Sequence, residues 1–453
     1  MTIGNRVASS LLLMAAALAF GAASRAGTVA DAAWQAAAAD GKVRVLVSLR
    51  PREGERTPAA LAAEIDALLA TLPETTSVVR RFATVPALAV VVDAEALAAL
   101  AAAPGVDRVD PDVGGSGSLL QGLPLARIDA VRALGFTGAG TKVAIIDSGI
   151  RLDHASFAGR IVDEACFCTG CCPGGGSTQF GPGSGANSHP HGTNVAGIAV
   201  GGGGVAGVPG GAAGGASIVS IRVLDASNAF CCTSDIVAAM DWLRVNHPDA
   251  DVANLSLGTN ARFAADCDGA TASTQALAAA VDGLVGAGTT VSVSSGNNGS
   301  SVDMQAPACV RRALSVGAVY DANVGAQSFG SVCTASTTAA DQVTCFSNLS
   351  PTTDLLAPGA PITAAGTASQ TATSTFSGTS MAAPTVGGCV ALLREARPAA
   401  TPAEIEAALL AAPTRVARPG MGRDYPRLDC ADALARLESP AAVFADGFEP
   451  VAP

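Results

Sequence analysis

Three polar residues stand where an acyl-transfer site needs them. Asp147 closes the apolar run KVAIID, His191 opens HGTNVAGI, and Ser380 lies in GTSMAAP at the head of an Ala-rich stretch. A serine hydroxyl is a weak nucleophile at its own pKa. It needs a base within hydrogen-bond reach, and the base needs a carboxylate to orient it. Four histidines are available, and their contexts separate them. His247, in NHPDAD, reads as a solvated loop residue. His154 lies just past Asp147, and His189 lies in the loop before His191; both read as structural. Only His191 is followed directly by a helix start, Gly192-Thr193. Attack on a carbonyl also creates an oxyanion, which requires preorganised donors. The Asn297 amide, in SSGNNG, can donate, although Asn-Asn-Gly is equally good turn chemistry. A serine at a helix start adds its own free N–H and the positive end of the helix dipole.

These residues need a frame that places them at one edge. From Leu119 to Leu437 apolar strands alternate with helices. KVAIID, SIVSIRVL, VANLSLG, TVSVSSG and ALSVGAV read as strands. HGTNVAGIAV, DIVAAMDWLRV (with Ser234 as its cap), TQALAAAVDGLV and TSMAAPTVGGCVALLREA read as helices. Strands without polar alternation imply a parallel sheet covered on both faces, a doubly wound α/β fold. In such sheets sites form beyond the carboxyl ends of strands, which suits Asp147. A smaller unit precedes it. Between residues 40 and 113 the order is β-α-β-β-α-β, the ferredoxin-like pattern, with Thr57 and Pro58 opening the first helix. VGGSGS after it reads as a linker, and residues 438–453 read as a loose tail.

Composition narrows the function classes. The 453 residues allow two or three domains. A net charge of −11 disfavours nucleic-acid binding, which needs basic patches. Charged residues are 14%, against about 25% in typical soluble proteins, and mean hydropathy is +0.39. The longest strongly apolar run, near Leu11 to Ala23, is shorter than the roughly 20 residues that span a bilayer. With Arg6 before it and Ser24 and Ala26 after it, that run has the form of a signal peptide covering residues 1–26. The mature chain is then extracellular, and its twelve cysteines suit disulfides. Cys333–Cys345 and Cys389–Cys430 are the expected pairs among the dispersed cysteines. CFCTGCC, from Cys166 to Cys172, also allows zinc, but it holds no histidine and an oxidising compartment disfavours free thiolates.

VAIIDSGI, HGTNVAGI and GTSMAAP, in that order, resemble the Asp, His and Ser signatures of the subtilisin-like serine peptidases. SSGNNG resembles that family's oxyanion segment, with Asn297 as the donor. Ser256, Leu257 and Gly258, in VANLSLG, resemble its substrate-pairing strand. The resemblance covers residues 119–437. It implies a secreted endopeptidase, with Asp147, His191, Ser380 and Asn297 catalytic and Ser256–Gly258 binding substrate backbone. The small residues Ser294, Ser295 and Gly296 suggest a side-chain pocket left open from that wall. No acidic pair marks a preference for basic substrates, so the expectation is broad specificity for apolar or aromatic side chains. The resemblance also implies that residues 40–113 are a propeptide that aids folding, inhibits the enzyme and is then cut off. No cofactor is needed for catalysis. Structural calcium stays open, because Ser156 stands where many members carry a calcium-binding Asp. Expected partners are protein or peptide substrates and the chain's own propeptide, with no nucleic acid, no membrane span and a monomeric state. A dedicated processing protease remains an alternative. A non-catalytic module would need a missing triad member, and an esterase elbow G-x-S-x-G fails at Ala382.

Overall fold

The structure is a computed structural model that describes residues 27–50, 57–81, 86–111 and 119–439. The expected signal peptide, the expected VGGSGS linker and the tail beyond residue 439 lie outside the described residues. The chain divides near residue 115 into two compact units.

In the first unit, Val43–Leu49 pairs antiparallel with both Val106–Pro111 and Ala87–Val92, and Ser77–Arg81 pairs with Ala87–Val92. Helices Pro58–Leu69 and Ala94–Ala102 make the two crossovers. This is the ferredoxin-like order the sequence suggests. Thr57 caps the first helix, accepting from the Ala60 N–H. An element absent from the sequence reading precedes them. Helix Asp31–Asp40 buries Ala33 and Ala37, and Thr28–Val29 pairs parallel with Val106–Pro111, so this unit begins before residue 40.

In the second unit eight strands form one sheet. They are β1 (Lys142–Asp147), β2 (Ile161–Phe167), β3 (Thr178–Phe180), β4 (Ser217–Arg222), β5 (Val252–Leu255), β6 (Thr290–Ser294), β7 (Leu314–Tyr320) and β8 (Leu355–Ala360). Their spatial order is β8-β7-β6-β5-β1-β4-β2-β3. All pairings are parallel except the β2–β3 edge. Successive strand side chains point to opposite faces. Val143 and Ile145 therefore join one core with Val195 and Ile198 of helix α1 (Pro190–Val200) and Val390 of α4 (Thr379–Ala396). Ala144 and Ile146 join the other, with Leu243 of α2 (Thr233–Asn246) and Val281 of α3 (Ala272–Gly286). From β1 the chain builds first towards β4 and β2, then returns to build from β5 to β8. The carboxyl end of β1 is thus the switch point where such sheets bind ligands.

Two local readings need correction. Ser234 lies inside α2, whose N-cap is Cys232 with no side-chain cap bond. His247 is buried, not solvated: its Nε2 pairs with Asp163 Oδ2 at 3.0 Å. Capping the end of α2 turns this histidine inward, although its sequence neighbours are polar.

All twelve cysteines are bridged. Cys333–Cys345 and Cys389–Cys430 pair as expected, and the others are Cys166–Cys172, Cys168–Cys171, Cys231–Cys232 and Cys267–Cys309. The Cys389–Cys430 bridge spans 41 residues and ties α4 to the last helix, Cys430–Glu438. Closing a loop of that length removes chain entropy from the unfolded state equivalent to about 4 kcal/mol.

One buried acid gives the fold a pH dependence. Asp321, just past β7, is 5% exposed, and among the described residues neither carboxylate oxygen has a hydrogen-bond partner in another residue. Burial pushes its pKa up to about 7. An acid raised in the folded state binds its proton more tightly there than when unfolded. Its stabilising contribution is therefore present at acid pH and is lost as pH rises from the ordinary carboxylate range to about 7. Asp321→Asn removes that ionisation. Its melting temperature relative to the wild type should rise between pH 5 and pH 8; parallel melting profiles across that range would refute the assignment.

Candidate active site

Asp147 ends β1, wholly buried. Its Oδ1 lies 2.8 Å from His191 Nδ1 and also accepts the Ser148 N–H at 2.7 Å. A carboxylate only accepts, so Nδ1 carries the proton and the His191 Nε2 lone pair is free to act as a base. Oδ2 has no partner.

His191 is the second residue of α1. Pro190 starts that helix, and the His189 ring caps it by accepting the His191 N–H at 3.2 Å. Gly192 is required by proximity. A Cβ there would sit 2.3 Å from Gly149 O and 3.0 Å from Asp147 Oδ1. The other two histidines are placed elsewhere: His154 is buried with Nε2 3.0 Å from Ala372 O, and His247 serves the opposite, amino end of β1 beside Lys142. At the expected calcium position Ser156 presents a buried hydroxyl without a partner and no carboxylate. Among the described residues no group of three or more His, Cys, Asp and Glu converges as metal ligands. The residues present do not fit that calcium site.

Ser380 is the second residue of α4, after the N-cap Gly378. The two helices α1 and α4 pack side by side. Phe376, four residues ahead of Ser380, lies edge-on to the His191 ring at 6.1 Å. Ser380 Oγ donates to Ser256 O at 3.2 Å, and Ser256 Oγ donates to Ser380 O at 2.8 Å. No hydrogen bond joins Ser380 to His191 in this state; such bonds commonly tighten only when substrate is bound.

Asn297 follows β6. Its Oδ1 accepts the Thr379 N–H at 2.8 Å and the Thr379 hydroxyl at 3.0 Å. A backbone N–H can only donate, so the atom facing it must be the amide oxygen. That leaves the Asn297 NH2 group as the free donor, one residue from Ser380 along the chain of contacts. Gly296 permits the turn, with φ +107° and no room for a Cβ, which would lie 2.5 Å from both Gln305 Oε1 and Asn348 Nδ2.

A cleft of about 400 Å³ is lined by Ser256, Leu257, Gly258, Ser294, Gly296, Asn297 and Ser380. Ser295 does not face it. It is buried, and its hydroxyl donates to Asn348 O at 2.8 Å. Adjacent residues leaving a strand point to opposite sides, so Ser294 and Ser295 cannot share one wall. Nine further lining residues escaped the sequence reading. Gln305 reaches over the two glycines Gly258 and Gly296, and Phe230 and Cys231 are among the others.

The subtilase family model matches residues 138–425. The chain belongs to the subtilase family. That match contains all the residues just described. The extracellular serine proteinase of Thermus sp. (strain Rt41A) is 35% identical over 325 residues, 72% of this chain and 64% of that protein. Alkaline serine exoprotease A of Vibrio alginolyticus is 29% identical over 306 residues, 68% of this chain and 46% of that protein. This subtilase thus spans less than two thirds of the length of both relatives. A solved cold adapted subtilisin-like serine proteinase superposes with TM-score 0.49 at 26% identity, covering 65% of this chain and 90% of that one.

Proposed function

We propose that this subtilase is a secreted serine endopeptidase made as a self-processed zymogen. The observation that carries the reading is the buried Asp147–His191 bond of 2.8 Å, at the sheet edge where Ser380 heads α4. The Ser380 hydroxyl turns from Ser256 O to His191 Nε2, loses its proton there and attacks the scissile carbonyl. The Asn297 NH2 and the Ser380 N–H hold the oxyanion. His191 returns the proton to the leaving amine, and Asp147 stabilises the imidazolium. Water then hydrolyses the acyl-enzyme by the same route. Ser256–Gly258 bind substrate as an added strand, in which backbone hydrogen bonds supply affinity.

Ser294, Gly296 and Gly258 add little bulk of their own to the adjacent pocket, where Gln305 covers the two glycines; broad specificity for apolar or aromatic side chains is the reading proposed for it. No metal takes part in this chemistry. Residues 40–113 act as the propeptide, an intramolecular inhibitor removed on maturation. The six disulfides and the extracellular relative support action outside the cell. The test is casein hydrolysis with and without a fluorophosphonate. Activity should be lost on labelling, with the adduct mapped by mass spectrometry to Ser380. Hydrolysis that survives complete labelling, or an adduct on another serine, would overturn the reading.

A further inference from the structure

The Asn297 side chain is only as well placed as the turn that carries it, and that turn is held from outside. Asn348 lies 51 residues further along the chain, between β7 and β8, and is fully buried. Its Oδ1 accepts the N–H groups of Asn298 (2.9 Å) and Ser300 (3.1 Å). Its Nδ2 donates to Ser295 O (3.3 Å) and to Asn298 Oδ1 (3.0 Å). Both amide hydrogens and both carbonyl lone pairs are thereby used. Every one of these partners lies in residues 295–300, on the two sides of Asn297. The Asn348 backbone adds to this, donating to Gly296 O at 2.9 Å and accepting from Ser295 Oγ at 2.8 Å.

We infer that Asn348 is a positioning residue for the oxyanion site: it fixes the 295–300 turn so that the Asn297 NH2 is aimed before substrate arrives. This rests on the oxyanion role proposed for Asn297. Alternatives are poorer at the same place. The turn's N–H groups and carbonyls face one buried point and need a partner with two donors and two acceptors. Among short side chains only a carboxamide supplies both. A Cβ at Gly296 would meet the Asn348 amide as well as Gln305, so Asn348 packs directly against the bare glycine of the turn. A hole that donates to developing charge gains from rigidity, because donors already in place do not reorganise during reaction.

Double-mutant kinetics test this. Asn297→Gly should lower kcat about 10²- to 10³-fold with KM nearly unchanged. Asn348→Ala should lower kcat at least tenfold, again with little change in KM, in protein whose fluorophosphonate-reactive fraction is matched to wild type. In the Asn297→Gly background Asn348→Ala should cost less than twofold more, because the group it aims is gone. Equal losses in both backgrounds would make Asn348 a general stabiliser and overturn the inference, as would an unchanged kcat in the single variant. An Asn297→Gly protein with wild-type kcat would instead sink the oxyanion reading itself. Should Asn348→Ala fail to fold, Asn348→Ser in the same cycle keeps the test, with the same outcomes deciding it.

Discussion

Ser380→Ala should leave a folded protein that cuts nothing, including itself. The hydroxyl is small and sits at the head of α4, and its present bond is to Ser256 O. The reciprocal bond from Ser256 Oγ uses only the backbone carbonyl of Ser380 and survives the change. Packing and stability should therefore alter little. On the proposed mechanism the chemistry loses its nucleophile outright. In another member of this family removal of the nucleophile lowers kcat by about 10⁶-fold, and a loss of that order is expected here. If maturation is autocatalytic, the purified variant should also stay joined between roughly Asp112 and Leu119. Gel mobility and N-terminal sequencing report this. A Ser380→Ala protein that matures efficiently when pure would refute self-processing while leaving the hydrolytic mechanism intact.

The second large effect concerns Asp147, where the geometry separates orientation from charge. Oδ1 is shared by His191 Nδ1 and the Ser148 N–H, while Oδ2 has no hydrogen-bond partner among the described residues. In Asp147→Asn the Ser148 N–H selects the carboxamide oxygen for the shared position. The NH2 group then falls on the partnerless side, and His191 keeps the tautomer it needs. Only the negative charge opposite the imidazolium is lost. Asp147→Ala loses both charge and alignment, and kcat should fall about 10⁴-fold. Asp147→Asn should retain distinctly more activity than Asp147→Ala. Equal kcat values for the two variants would show that the Ser148 N–H does not set the amide's orientation.

Much of the candidate site's placement was legible because strands and helix starts announce themselves. KVAIID, HGTNVAGI and GTSMAAP each combine an apolar run with one polar residue at its end, and a parallel sheet gathers such ends along one edge. The order of strands was less accessible. Nothing in VANLSLG says that it pairs with β1 on the side opposite β4, since registry between distant parallel strands is settled by packing. The edge strand Thr178–Phe180 is too short to show a period. His247 misled because its neighbours are polar, while the contact that buries it comes from Asp163 across the fold. Ser295 was a different kind of error: the strand alternation that places Ser294 in the cleft already turns Ser295 away. Asn348 had no local signal at all. Its role appears only when the chain returns from β7 and lays it under a turn 50 residues upstream.

The short bridges between Cys166 and Cys172 bear on how long such an enzyme lasts. A peptide must lie extended across a cleft, for several residues on each side of the bond, before it can be cut. Where the chain leaves β2, ahead of the Gly-rich residues 173–177, the segment of residues 166–172 is closed on itself by bridges spanning six and three residues. It cannot be drawn out to that length while those bonds hold. Exposed loop tips are ordinarily the first places where proteases nick a fold. Residues 166–172 should therefore resist cleavage while the bridges hold, including cleavage by neighbouring copies of this protease.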